Sequence, residues 1–268
     1  MVAHRGSSHI LAEHTIAAYQ RAIDEGADAL ECDVRLTRDG HLVCVHDRRV
    51  ERTSNGRGVV SEFDLAELSA LDFGSWHPGL PDSADDLIGP ERPDPEQPPP
   101  ERQSVLTFAQ LLTLLVDAPR PVRLLVETKH PTRYGGLVER ALVAELHRFG
   151  LDRPSEPEIA PVTMMSFSLI AVRRVADLAP RIPTVLLLSG VPARFRTGVL
   201  PSGVSIAGPG VAALREQPHF VERVQQAGRR VYVWTVNEPA DIDYVTSLRA
   251  DGIITDRPTD VLRVLNRH

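Results

Sequence analysis

The sequence predicts an α/β fold, a (β/α)8 TIM barrel with a β-hairpin and a Pro-rich insertion after strand two. Three observations predict it. Short apolar runs alternate with amphipathic stretches from end to end. About eight such pairs fit into 268 residues, a length suited to one barrel. No Gly-rich nucleotide turn follows the first strand, which argues against a doubly wound sheet. The expected organisation is a single domain over 1–268, interrupted by an insertion at about 47–105.

The first strand, 2–4, is apolar and runs into His4-Arg5-Gly6; Glu13-His14-Thr15 then opens a helix with Ile16, Tyr19 and Ile23 on one face. The second strand, 29–36, alternates so that Glu31 and Asp33 share one side while Leu30, Cys32, Val34 and Leu36 take the other. Asp39-Gly40 is a two-residue hairpin signal. It sets Val43 and Val45 opposite Leu36 and Val34, and Asp33 opposite His46, with Cβ atoms about 5 Å apart. The stretch 47–105 breaks the rhythm and holds six prolines between Pro90 and Pro100, so it is expected to be partly extended or mobile. Thr107 is placed to start a helix in which Phe108, Leu111, Leu112 and Leu115 follow the i, i+3, i+4, i+7 pattern. Further strands are expected at 122–128, 162–167, 184–188, 204–207, 231–236 and 252–255, the last followed by the helix start Asp256-Arg257-Pro258.

Composition narrows the function. Hydrophobic residues at 42% and charged residues at 25% are those of a folded globular chain, and a mean hydropathy of -0.14 agrees. A net charge of -6 disfavours nucleic acid as a partner. No run approaches the roughly eighteen apolar residues of a membrane helix, and no leader pattern opens the chain, so a cytoplasmic protein without stable membrane association is expected. Cys32 and Cys44 are too few for a disulfide framework and read as buried thiols. Of 30 basic residues only Lys129 is a lysine.

In a TIM barrel the chemistry gathers at the C-terminal strand ends. There the sequence places His4 and Arg5, Glu31 and Asp33, Glu127 and Lys129, and Trp234. Three carboxylates in one mouth call for a compensator, and oxygen ligands suit a hard divalent ion. An ion-paired network of the three with Lys129 and Arg5 satisfies the same geometry. His4 and His46, each ending an apolar run next to a charge, are the candidates for proton transfer.

His4-Arg5-Gly6, Glu13-His14-Thr15, Glu31-Cys32-Asp33-Val34, His46-Asp47, Glu127-Thr128-Lys129, Trp234-Thr235 and Thr255-Asp256-Arg257-Pro258 occur in one order along nearly the whole chain. In that order they resemble the glycerophosphodiester phosphodiesterase family. The resemblance implies a hydrolase that releases glycerol 3-phosphate and an alcohol, with Glu31, Asp33 and Glu127 holding one divalent cation, Mg2+ or Ca2+. It implies further that His4 and His46 form the acid/base pair, that Arg5 and Lys129 cradle the phosphate, that Trp234 walls the glycerol, and that the glycerol 2-hydroxyl attacks phosphorus to give a cyclic phosphate that water opens. Glu13 is assigned to orienting the first-strand groups or reaching the metal shell, and the insertion corresponds to the family's extra segment over the mouth. The family has Asn where this chain has His14, which is expected either to hydrogen-bond at the mouth or, the slightly favoured reading, to be an exposed first-turn residue. The competing readings are a lysophospholipase D-like enzyme acting on lipids and a phosphate-binding barrel without turnover. The alcohol is expected to meet the loops and the insertion rather than the shared motif.

Overall fold

A computed structural model of the chain describes residues 1–75 and 103–265. Nine strands occur among them: β1 (Val2–Ala3), β2 (Ala29–Leu36), β3 (Leu42–Cys44), β4 (Arg123–Thr128), β5 (Val162–Ser166), β6 (Thr184–Leu188), β7 (Ile206–Pro209), β8 (Arg230–Val233) and β9 (Gly252–Thr255). Eight are parallel and close into a barrel, because β1 pairs with both β2 and β9; β3 lies antiparallel on β2 as the hairpin arm. The described helices are α1 (Ile16–Asp24), α2 (Leu65–Ser69), α3 (Phe108–Val116), α4 (Leu137–Arg148), α5 (Leu169–Leu178), α6 (Val211–Glu216), α7 (Phe220–Gln226), α8 (Pro239–Ser247) and α9 (Pro258–Val264). None of them is long and apolar enough to cross a membrane.

Strand alternation builds two concentric apolar layers. Val2, Ala29, Leu125, Met165, Val185 and Ile206 fill the inside of the barrel. Leu30, Cys32, Val34 and Leu124 face outward onto Tyr19, Leu111 and Leu142 of the helices. The helix starts are those the sequence marks: the Thr15 hydroxyl accepts from Ala18 N, and Thr107 forms a reciprocal cap with Gln110. All four predicted apolar residues of α3 are buried, whereas in α1 Ile16 is exposed and Ala18 and Ala22 share the buried face with Tyr19 and Ile23.

The hairpin register differs from the prediction by one residue. Val34 faces Cys44, Arg35 faces Val43 and Leu36 faces Leu42. The loop holds three residues, Arg38 to Gly40, closed by Thr37 N donating to His41 O at 2.9 Å, with Gly40 at φ +90°. Asp39 is drawn away from a tight turn because its carboxylate accepts from the Thr37 hydroxyl and from Leu65 N at the start of α2. His46 therefore does not sit opposite Asp33 on a ladder. β3 ends at Cys44, and the Arg35 guanidinium binds His46 O at 2.9 and 2.7 Å, so a loop brings His46 to the mouth.

The first part of the insertion, through residue 75, is folded rather than extended. Val50, Val60, Leu68 and Phe73 pack with Val43, Val45 and Val105 into a satellite core, and Phe73 N donates to Gln103 O at 2.7 Å. The prolines from Pro90 to Pro100 lie outside the described residues.

Candidate active site

The parallel register sets Asp33 beside Glu127, and alternation sends Glu31 to the same side. One oxygen from each of Glu31, Asp33 and Glu127 lies within 4.8 Å of the others. All three side chains are buried, where several negative charges are costly unless compensated. Lys129 Nζ stands 3.0 Å from Asp33 Oδ1 and 2.9 Å from Glu127 Oε2. Arg5 Nε is 3.2 Å from Asp33 Oδ2, and Arg5 backbone N donates to Glu31 Oε2 at 3.0 Å.

These cations hold Asp33 well below the usual carboxylate range against its burial, with Lys129 the strongest influence. Glu31 fares differently: burial, reinforced by Asp33, pushes it up to about 8. Burial also lifts Glu127 to about 7 although Lys129 opposes the rise. Glu31 Oε1 has no hydrogen-bond partner among the described residues. A buried carboxylate that stands in an acidic cluster and keeps one oxygen unpartnered fits a hard divalent cation better than a closed ion-pair network.

Both predicted acid/base histidines reach this mouth with Nδ1 anchored to a carboxylate. His4 follows β1, its backbone N bonded to Thr255 O, and its Nδ1 lies 2.7 Å from Asp256 Oδ1. Asp256 is itself positioned by Asn237, whose side chain donates to Asp256 Oδ2 and accepts from Asp256 N. His46 Nδ1 lies 2.8 Å from Asp47 Oδ1. In each ring Nε2 is left as the nitrogen that can meet a reacting group. Their environments differ. Burial and Arg5 oppose charge on His4, but Asp256 and Glu31 outweigh them and raise it to about 9. On His46 burial and Arg5 prevail and lower it to about 3.

A relay of charges that sequence reading did not assemble holds the mouth together. Arg5 Nη1 pairs with Glu13 Oε1 at 3.1 Å, and Arg52 spans Glu13 and Asp47 with contacts of 2.6 to 2.7 Å. The relay thus runs from Arg5 through Glu13, Arg52 and Asp47 to His46. Nothing in the sequence separates Arg52 from its many fellow arginines; of its partners, Asp47 is five residues away but Glu13 is 39 residues away, in the connection between β1 and α1. Asp256 was legible as a helix start and as part of the Thr255-Asp256-Arg257-Pro258 motif, but not as the residue whose side chain meets His4. Arg5 adopts φ +57°, an unfavourable conformation for a side chain with a Cβ. Gly6 follows at φ +87°, and a Cβ there would fall 2.7 Å from the Ala18 carbonyl carbon, so position 6 requires glycine.

His14 is not an exposed first-turn residue. It is buried, with Nε2 3.0 Å from Asp33 Oδ2 and Nδ1 2.7 Å from the Tyr19 hydroxyl, which donates to Glu31 O. Its φ is +57°, in the left-handed region that Asn, Asp and His enter more readily than other side chains.

The structure therefore brings together His4, Arg5, Glu31, Asp33, His46, Glu127 and Lys129. Trp234 lies directly after β8, its indole N–H donating to Gly208 O at 2.6 Å. Phe167, which follows β5, meets the Trp234 ring edge-on at 5.2 Å and is substantially exposed, an aromatic partner that the sequence reading treated only as a strand end.

Comparison with known proteins agrees with this geometry. The model of the glycerophosphoryl diester phosphodiesterase family matches residues 4–260. The probable glycerophosphodiester phosphodiesterase 1 of Mycobacterium tuberculosis is 46% identical over 260 residues, covering 96% of this chain and 89% of the relative. The glycerophosphodiester phosphodiesterase of Bacillus subtilis is 31% identical over 262 residues, covering 96% and 83%. Among solved structures, an Oleispira antarctica phosphodiesterase in complex with the product sn-glycerol-3-phosphate superposes with a TM-score of 0.80 at 22% identity, covering 99% of this chain and 96% of the other. The chain belongs to the glycerophosphoryl diester phosphodiesterase family, and its reaction is the hydrolysis of glycerophosphodiesters.

Proposed function

We propose that this hydrolysis releases glycerol 3-phosphate and an alcohol, using one divalent cation, Mg2+ or Ca2+, with His4 and His46 as the acid/base pair. The observation that carries the reading is the unpartnered Glu31 Oε1 inside the cluster of Glu31, Asp33 and Glu127, which would hold the ion. Charge balance supports it. Six carboxylates meet at the mouth, Glu13, Glu31, Asp33, Asp47, Glu127 and Asp256, against five cations, Arg5, Arg35, Arg52, Lys129 and the His4 ring raised to about 9, and the excess falls on the cluster in which Glu31 is pushed up to about 8. The bound cation would supply neutralisation of the charge on the non-bridging phosphate oxygens.

The chain's own groups do the rest. Arg5 and Lys129 draw the phosphate to the strand ends. One histidine accepts the proton of the glycerol 2-hydroxyl as that oxygen attacks phosphorus, and the other gives a proton to the departing alkoxide. The product is a cyclic phosphate; the same two nitrogens, with roles exchanged, let water open it. Asp256 and Asp47 keep Nδ1 of each ring protonated and so turn Nε2 toward the reaction. Trp234, with Phe167, offers an apolar wall for the glycerol carbons. The sn-glycerol-3-phosphate bound by the Oleispira relative is the product this scheme requires.

The test is release of glycerol 3-phosphate from a panel of glycerophosphodiesters with Mg2+, Ca2+ or EDTA. Activity should require the ion, and His46→Ala should lower kcat by about a thousandfold while the protein stays folded. Release in EDTA, or a His46→Ala rate near wild type, would refute these roles. A diester without the vicinal hydroxyl should resist cleavage, and ready cleavage would show direct attack by water.

A further inference from the structure

A cavity of about 430 Å³ opens beside the carboxylate cluster, and four cationic side chains line it. Arg35 comes from the end of β2, Arg48 from the folded part of the insertion, and Lys129 and Arg133 from the chain after β4. Lys129 belongs to both places, since the same ammonium that lines the cavity touches Asp33 and Glu127. The walls are tied together by the Tyr134 hydroxyl, which donates to Ser61 O at 2.9 Å. Glu62 is the single carboxylate among the described lining residues.

Several surface arginines are placed differently. Arg38, Arg49, Arg215 and Arg263 each pair with a nearby carboxylate. Arg35, Arg48 and Arg133 form no ion pair among the described residues. Arg35 spends two of its donors on His46 O, and burial, with Arg48 adding to it, makes its charge harder to keep. Guanidinium groups gathered around a polar cavity of this size, in a chain of net charge -6, are arranged for an anion.

The two halves of the mouth suit different parts of the substrate. Over the β5 and β8 ends the aromatic pair Phe167 and Trp234 matches the uncharged carbons of glycerol. The cationic cavity lies at the β2 and β4 ends, lined by Arg35 and Lys129, and does not include the aromatic pair. We propose that this cavity receives the alcohol half of the diester and selects alcohols that carry a phosphate of their own. The inference rests on the hydrolytic reading above and specifies its substrate class.

The experiment compares kcat/KM for three glycerophosphodiesters in the presence of the activating ion. Their alcohols are choline, glycerol, and glycerol bearing a terminal phosphate. The phosphorylated alcohol should exceed choline by at least about tenfold at low ionic strength, with the advantage shrinking as salt rises. In the double variant Arg48→Gln/Arg133→Gln the ratio of kcat/KM for the phosphorylated to the unphosphorylated glycerol diester should fall about tenfold, mostly through KM. Equal rates for all three alcohols, a preference for choline, or an unchanged ratio in the variant would overturn the inference while leaving the hydrolase intact. Failure of the metal-loaded wild type to release glycerol 3-phosphate from any of the three would overturn the underlying reading instead.

Discussion

Two glutamates of this chain are fully buried and behave in opposite ways. Glu139 on α4 has both oxygens occupied, Oε1 by His130 Nε2 and Oε2 by Arg174 Nη1, each at 2.7 Å. Burial works against its charge, but the two partners prevail and lower its pKa below the ordinary 4.5. Glu31 accepts from Arg5 N through one oxygen, has the other unpartnered, and is pushed up to about 8. Equal burial thus says nothing by itself. What separates them is partners: both oxygens of Glu139 are occupied, whereas Glu31 keeps one acceptor oxygen unpartnered among the described residues.

The largest effect that could break this comparison is on activity. Glu31→Gln should lower kcat by about a thousandfold, about 4 kcal/mol of transition-state stabilisation. The metal-free variant should melt no lower than wild type, since the removed charge is one that burial disfavours. A large fall in melting temperature without metal would show that Glu31 is structural after all. Divalent ion at about a hundred times its Kd should stabilise wild type by about 2.7 kcal/mol, and Glu31→Gln should lose that response in the same calorimetric titration.

Glu139→Gln should do the reverse, keeping turnover and weakening the fold by about 2 kcal/mol, because an uncompensated guanidinium remains beside it. Its pH dependence has a definite sign. Since the folded pKa of Glu139 lies below 4.5, the stability it contributes is fully present above that pH and is lost as pH falls through the folded value. Denaturant melts of wild type and variant should therefore differ at pH 7 and converge in acid. A gap that widened on acidification would contradict the ion-pair account.

Most of the barrel was legible because its signals are local. Alternation along 29–36 separates Glu31 and Asp33 from the apolar face, and the first-strand and β4 motifs deliver His4, Arg5, Glu127 and Lys129 to the same end. The hairpin register failed for a tertiary reason: Asp39, a good turn residue by itself, accepts from Leu65 N at the start of α2 instead. Arg52 was hidden because Glu13, which it joins to the nearby Asp47, reaches it only after the barrel closes and the satellite core forms. The cationic cavity was hidden for the same reason, being assembled from the end of β2 and two separate connections.

The smallest effect concerns His14, which lies between the two classes. Its ring supports Asp33 at 3.0 Å, as a functional residue would, yet its other nitrogen is satisfied by Tyr19, as in a structural network. The backbone explains why Asn serves at this place in the family: φ is +57°, and Asn tolerates left-handed geometry at least as well as His. His14→Asn should therefore keep kcat/KM within about threefold and change stability by less than about 1 kcal/mol, the bond to Tyr19 being worth that much at most. His14→Val should cost more in both measurements, because a β-branched side chain resists positive φ and gives Asp33 no donor. If Asn and Val proved equally harmful, the role of position 14 would lie in the imidazole itself and not in the turn it allows.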